Sequence, residues 1–468
     1  MAIAARAKRL TYLIHRWTGV AACVLMALWF ISGIVMLFVG YPKLTPWERL
    51  QALPALQTEN CCVPLDAALK HSRSPAAVQE IVLTSIRNHP YYRLREDKGN
   101  YIVVDASTGK LAVPVDMQAA LAGAQAYIPH AAAHYVGQID EDRWTHARAL
   151  NPHRPLHQVQ MDDDAHTLLY VSSSTGQVVM DAPRAQRMWN YVGAWLHWLY
   201  MFRDKPIDPV WSWLVIILSA AGTLTAITGT LAGIWRWRFS GRYKSGARTP
   251  YREPYLHWHH IIGLSFAAII FTWIFSGLMS MNPFGIFDAK GARPDIAAYR
   301  GGSPAAQRLT LEAPQALALL KDAHFHANEI EWRVLDGKPY LLARNAANAT
   351  RLIVQDNGNF KVMERWNDDT LLHAASRLMP ASILSRQVLT QYDTYYYGRQ
   401  QEAMMGASER RLPALRIRYD EPNQTWVHLD PFTGDVELSS DKSQRVGRWL
   451  FSFCLLYTSP SPRDRQKS

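Results

Sequence analysis

Three stretches of this chain contain no Asp, Glu, Lys or Arg: Trp17–Tyr41, Val210–Trp235 and Ile261–Gly285. A helix needs ~20 apolar residues to cross the hydrocarbon core of a bilayer. Each stretch exceeds that length, and charge-free runs so long are uncommon in the buried helices of water-soluble domains. The chain is therefore read as one that crosses a membrane several times. The first run is too long for the apolar part of a signal peptide, and no small-x-small cleavage site follows it, so it reads as an uncleaved anchor.

The spans cannot be the whole protein. At 468 residues the chain exceeds one ordinary domain. Its mean hydropathy is only -0.15, so a few spans must sit beside large water-soluble parts.

The placement of charge orients these parts. Arg6, Lys8, Arg9 and Arg16 give the first 16 residues +4. Segment 236–254 carries Arg236, Arg238, Arg242, Lys244, Arg248 and Arg252 against Glu253, for +5. The tail adds Arg463, Arg465 and Lys467 against Asp464, and these three segments account for the whole net charge of +11. The basic balance is thus an orientation signal and gives no reason to expect nucleic-acid binding. It puts the N-terminus and the 236–254 loop in the cytoplasm and both long segments, about 42–208 and 286–445, outside.

The chain repeats itself. Ile14-His15-Arg16-Trp17-Thr18-Gly19 opens the first run and Trp258-His259-His260-Ile261-Ile262-Gly263 the third. His15 and His259, Gly19 and Gly263, and Ser32-Gly33 and Ser276-Gly277 are all offset by 244. A shared, gapless offset points to duplication. The outer segments repeat a second pattern, an apolar run, a turn ending in Gly, and another apolar run: Tyr101–Leu111, Leu168–Val179 and Val427–Val436, with Leu352–Gly358 as a looser copy. Gly supplies the positive φ of such hairpin loops, and Asp or Ser bonds the turn backbone. With apolar helical pieces at Met117–Ala126 and Glu312–Ala323, two small α+β domains are expected.

Arg187–Phe202, rich in Trp and Tyr, reads as an interfacial helix. A span there would turn the basic loop outward. Val446-Gly447-Arg448-Trp449-Leu450 matches Val192-Gly193-Ala194-Trp195-Leu196, so a fourth span is expected to follow. Instead the chain continues Cys454-Leu455-Leu456-Tyr457-Thr458-Ser459-Pro460, which reads like the in-frame translation of a sequencing adapter. The expected order is then a cytoplasmic N-terminus (1–12), span one (13–41), outer domain one (42–185), interfacial helix (186–205), span two (209–235), basic loop (236–254), span three (255–285), outer domain two (286–440), a second interfacial start (441–453) and the adapter-like tail (454–468). Cys61 and Cys62 lie outside, where oxidation is possible, but adjacent cysteines rarely bridge. No metal-type cysteine spacing occurs.

His15-Arg16-Trp17-Thr18-Gly19, Leu196-His197-Trp198-Leu199-Tyr200-Met201, the run Ile227–Arg238, His257–Gly263 and the repeated hairpins together resemble the PepSY-associated transmembrane proteins. These are iron-regulated inner-membrane proteins that include ferric-siderophore reductases. The resemblance covers nearly the whole chain up to Phe453, and it is more specific for family than for substrate. It implies a membrane α-helical protein with two periplasmic PepSY-like domains in the bacterial inner membrane.

Histidine is costly at bilayer depth and marks function there. Neutral imidazole ligates haem iron and suits one-electron transfer. His15, His259 and His260 fall near the cytoplasmic ends of their spans, and His197 falls on the outer side. A 25-residue span rises ~37 Å, so His15 and His197 are not expected to share one iron. The pattern predicts His15 with His259, or His260 as alternate, around one haem b, and His197 with a histidine of the missing fourth segment around a second. Gly19 and Gly263 lie one turn after their histidines, where a flat ring could rest against the backbone, or where helices could pack closely. The histidines could equally be hydrogen-bonding links between helices. Arg16 could meet a propionate or extend to the headgroups. His257 reads as interfacial, and His130, His134, His146, His153, His157 and His166 as surface residues.

The resemblance implies reduction of ferric siderophores, with membrane lipid, the siderophore and a separate donor (quinol or a flavoprotein) as partners. An electron-transfer subunit serving another enzyme, and a non-enzymatic binding or regulatory protein, remain as alternatives. The charge pattern makes a direct prediction. Cysteine introduced at Lys244→Cys will react with an impermeant maleimide only after the cells are opened. At Lys110→Cys it will react in spheroplasts left intact. The reverse labelling would invert the topology.

Overall fold

The structure, a computed structural model, describes residues 2–452 apart from 59–60, 75–76, 98, 204–207 and 399–409. The expected fourth span and the adapter-like tail lie outside the described residues. Two compact units form. One, helical, takes the chain up to Phe38, Tyr191–Lys290 and the segment from Lys442. The other, sheet-rich, takes Val39–Asn190 and Gly291–Asp441.

In the helical unit, α1 (Ala2–Phe38) and α2 (Pro209–Arg236) are each long and apolar enough to cross a membrane. Asp208 caps α2 by accepting from Val210 N and Trp211 N, and Pro209 takes the first helical position, where no N–H is needed. The third charge-free run departs from the straight helix expected over 255–285. It forms α3 (Pro254–Ser265) and α4 (Ala267–Ser280), bent by 68°. The backbone leaves helical values at Phe266 (φ -101°, ψ 7°), and no proline stands at the break. α4 ends well before 285, because Asn282 turns left-handed at φ 47° and Pro283 follows. α1 packs on α2, and α2 on α4. α5 (Lys442–Ser452) packs on α4. The interfacial helix expected over 186–205 is broken into an α-helical piece, Arg184–Asn190, a π-turn, Tyr191–Trp195, and a 3-10 turn, Tyr200–Phe202, with Leu199 left-handed between the last two.

The described residues of the sheet-rich unit form fifteen strands: β1 (Val78–Ile86), β2 (His89–Glu96), β3 (Tyr101–Asp105), β4 (Ala133–Ile139), β5 (Leu156–Met161), β6 (Leu168–Ser172), β7 (Val178–Ala182), β8 (Glu329–Leu335), β9 (Lys338–Arg344), β10 (Thr350–Asp356), β11 (Asn359–Met363), β12 (Ile383–Leu389), β13 (Ala414–Tyr419), β14 (Trp426–Leu429) and β15 (Val436–Ser440). The expectation of two separate outer domains is corrected here. One antiparallel sheet, ordered β11-β10-β9-β8-β1-β2-β3, runs through both segments. Its seam is β1 against β8, with Ile81 opposite Trp332 and Leu83 opposite Ile330. Two four-stranded sheets, β4-β5-β6-β7 and β12-β13-β14-β15, complete the unit.

The two-residue period of a strand explains the faces of the shared sheet. Ile81, Leu83, Tyr92, Leu94, Ile330 and Trp332 form one core with the helices Leu65–Leu69 and Ala313–Asp322. The opposite face carries Glu80, Arg93, Arg95, Glu331 and Arg333, which pair among themselves and with Asp435. The hairpins foreseen from the repeated turns are present. Gly176 and Gly434, at φ 71° and 79°, close theirs with the same bond, N–H to the carbonyl four residues back. Cys61 and Cys62 lie half-buried against the main core.

Beside the seam, Glu329 is buried and bound on three sides. Arg49 Nη1 and Nη2 donate to its two oxygens, the latter at 2.7 Å, and Thr84 Oγ1 donates at 2.7 Å. Burial pushes the Glu329 pKa up, but the adjacent Arg49 guanidinium more than reverses this, down to about 2. The pair therefore stabilises the fold fully above the ordinary pKa of 4.5, and that contribution is lost as pH falls toward about 2. Arg49→Met strands the carboxylate, and a loss of roughly 3 kcal/mol is expected at neutral pH. Unfolding followed by circular dichroism checks this, with the gap to wild type closing below pH 4.5.

Candidate functional site

At His15 the fit of α1 against α2 depends on a missing side chain. A Cβ on Gly229 would stand 2.6 Å from His15 Cε1. In the room that glycine leaves, His15 Nδ1 lies 3.2 Å from the Thr225 carbonyl oxygen. A carbonyl only accepts, so Nδ1 carries the proton and Nε2 keeps its lone pair. Metal-bound histidines commonly hold their second nitrogen in this way.

His259 approaches the same place from α3. Its ring centre is 6.2 Å from that of His15, with the planes 27° apart. An imidazole nitrogen sits about 2.0–2.1 Å from a bound metal. Two imidazoles sharing one metal ion would have ring centres about this far apart.

His260 is committed elsewhere. Its Nε2 donates to the Gly233 carbonyl at 2.9 Å, and its Nδ1 lies 2.6 Å from Thr249 Oγ1. Trp237 and Tyr251 meet its ring edge-on. With both nitrogens used, His260 is a buried fastening, and of the two adjacent histidines His259 is the one free to ligate.

His197 stands at the other end of α1. Ser32 Oγ donates to the Leu28 carbonyl at 2.6 Å and so accepts from His197 Nδ1 at 3.0 Å. The Nε2 lone pair is again left over. The ring rests on Gly33, where a Cβ would come within 3.4 Å of Cε1, and Trp29 Nε1 donates to the His197 carbonyl at 2.9 Å. From position 15 to 32 a helix rises ~25 Å, so His15 and His197 serve different places. Trp29, Ser32 and Gly33 recur as Trp273, Ser276 and Gly277 on α4. Along the match of Val192 to Val446, however, the position of His197 falls on Phe451. The histidine expected opposite His197 is thus not supplied by the aligned position.

Gly19 meets only Thr225 Cγ2, at 3.9 Å, and Gly263 meets nothing within 4 Å. Close helix packing is therefore not what Gly263 serves, and both leave open surface beside the histidine pair. The Arg16 guanidinium lies over the Trp17 ring. Among the outer histidines two corrections arise. His157 is buried, with Nδ1 3.0 Å from Tyr135 Oη. His153 stacks on Tyr101, and burial, aided by Arg93, pushes its pKa down to about 4. His157 is buried and His153 half-buried, so neither is a surface residue. Among the described residues no group of three or more His, Cys, Asp or Glu converges as a metal site.

Sequence reasoning missed Thr225, Gly229 and Thr249, whose roles depend on which helices meet. Ser32 was visible only as part of a repeated pair. Compared with known families, the chain matches the PepSY-associated TM region over residues 12–317, a stretch that includes all four histidines. No curated protein matches it.

Gly229→Ala should push His15 aside and, through overpacking of about 1–3 kcal/mol, lower the melting temperature of the detergent-purified protein. Gly277→Ala, whose added methyl meets nothing within 4 Å, should leave it unchanged. Equal melting temperatures for the two variants would contradict the His15–Gly229 contact.

Proposed function

This chain belongs to the family of the PepSY-associated transmembrane region, and on that premise we propose that it is an inner-membrane haem b protein passing single electrons outward to ferric siderophores. The observation that carries the reading is the His15–His259 pair, 6.2 Å apart, with His15 Nδ1 bonded to Thr225. The premise also supports a finer membrane reading. α3 and α4 make one bent third span, and a fourth follows α5. The N-terminus and the basic loop face the cytoplasm, and the sheet-rich unit lies in the periplasm. The chain is a duplication whose outer halves meet at the β1–β8 seam.

A bound haem supplies a one-electron couple that no side chain here provides. The protein's residues do the rest. Thr225 sets the tautomer of His15, Gly229 makes room for its ring, and Gly19 and Gly263 keep the adjoining surface open. Ser32 prepares His197 in the same way, as one ligand of a second group nearer the periplasm. The substrate is ferric iron held by the hard oxygens of hydroxamate or catecholate groups. One electron converts Fe3+ to Fe2+, a softer ion those oxygens hold less firmly. No bond to the protein forms or breaks, and the electron comes from a quinol or a flavoprotein.

The test is a reduced-minus-oxidised visible spectrum of the purified chain, followed by addition of ferrioxamine to the reduced protein. Sharp b-type bands that return to the oxidised form as Fe2+ appears in a ferrozine assay are expected. Bands that persist would leave an electron-transfer subunit without its own substrate. A folded protein, extended through the fourth span, that holds no haem would leave a PepSY-type binding protein. His15→Ala is expected to abolish the bands, and His260→Ala to retain them.

A further inference from the structure

As an orientation signal, the basic residues between α2 and α3 would need only their charge, not a fold. This loop is folded. Arg238 N donates to the Arg248 carbonyl at 3.0 Å, Tyr243 N to Ala247 at 2.9 Å, and Tyr243 Oη to Arg236 at 2.9 Å. The Arg238 guanidinium stacks 4.1 Å above the Tyr243 ring, and that of Arg236 lies 4.9 Å above Tyr12 of α1. The loop is fastened from inside. Thr249, 1 % exposed, holds His260 Nδ1, while His260 Nε2 holds the Gly233 carbonyl near the end of α2. Outward from this frame stand Arg242, Lys244, Arg248 and Arg252, all exposed. Among the described residues none of the four forms an ion pair with an acidic side chain. The residue after His259 is thus bonded to a folded loop of charge +5.

We propose that this loop is the docking surface for an acidic electron-donor protein, with His260 as the positioning residue that holds it. The proposal rests on the haem reading and on the cytoplasmic placement of the loop. One electron would pass from the reduced flavin of such a donor to the ferric haem that His15 and His259 would hold, leaving the flavin oxidised by one electron and the haem iron ferrous, with no other bond changed. Fixed, unpaired positive charge attracts an acidic partner and raises association rates by 10–10³-fold at low salt. Lipid headgroups would be held as well by an unfolded basic loop.

The experiment uses the full chain in nanodiscs of zwitterionic phosphatidylcholine, with reduced flavodoxin as the acidic donor and dithionite as a small reductant. Neutralising Arg242, Lys244, Arg248 and Arg252 together (R242Q, K244Q, R248Q, R252Q) should slow reduction by flavodoxin about tenfold or more at low salt and flatten its salt dependence. Reduction by dithionite should change less than about twofold. His260→Phe should speed tryptic cleavage of the loop and slow flavodoxin while retaining haem. Reduction of the neutralised protein by flavodoxin at the wild-type rate would overturn the proposal. So would a variant that loses only its attachment to phosphatidylserine vesicles, which would make the loop a lipid anchor. If the chain binds no haem, the function proposed above fails, and docking is still read from co-sedimentation of flavodoxin with the nanodiscs. Binding lost on neutralisation supports the surface, and equal binding overturns it.

Discussion

An imidazole held among apolar helices has two nitrogens to satisfy, and there is no water to do it. How each ring meets that demand sorts the histidines of the helical unit. His260 spends both nitrogens on the protein, one on Gly233 and one on Thr249. His15 and His197 each spend only Nδ1, on the Thr225 carbonyl and on a serine whose own proton is already given away. Two unshared Nε2 lone pairs remain, about 25 Å apart along α1.

The sheet-rich unit answers a different constraint. A three-stranded meander leaves an edge of unpaired N–H and C=O groups. Here β1 of one segment and β8 of the other cover each other's edges, and residues of both segments share one core. Charged residues on the sheet face away from the main core are tolerated because they are paired: Glu80 with Arg93 and Arg95, Arg333 with Glu331 and Asp435, and Glu329 with Arg49.

Much of this could be read along the chain. Charge-free length locates α1 and α2, since a span is a property of one segment. The Gly-closed turns locate hairpins for the same reason, because Gly176 and Gly434 need positive φ whatever surrounds them. What could not be read depends on partners distant in sequence. His259 and His260 are equivalent by composition, and only the meeting of α2 with α3 decides which has a carbonyl at its Nε2. The shared sheet was hidden because pairing β1 with β8 bridges about 250 residues that carry no local sign of it. The bend at Phe266 had no proline to announce it.

The central claim is that His259, and not its neighbour, shares a metal with His15. Electron paramagnetic resonance of the oxidised, haem-loaded protein, with a redox titration beside it, tests this most directly on His259→Met and His260→Met. Exchanging a histidine ligand for methionine changes the axial field and raises the potential. The account predicts that His259→Met shifts both signal and midpoint, while His260→Met leaves both as in wild type. A shift in His260→Met with His259→Met unchanged would contradict it.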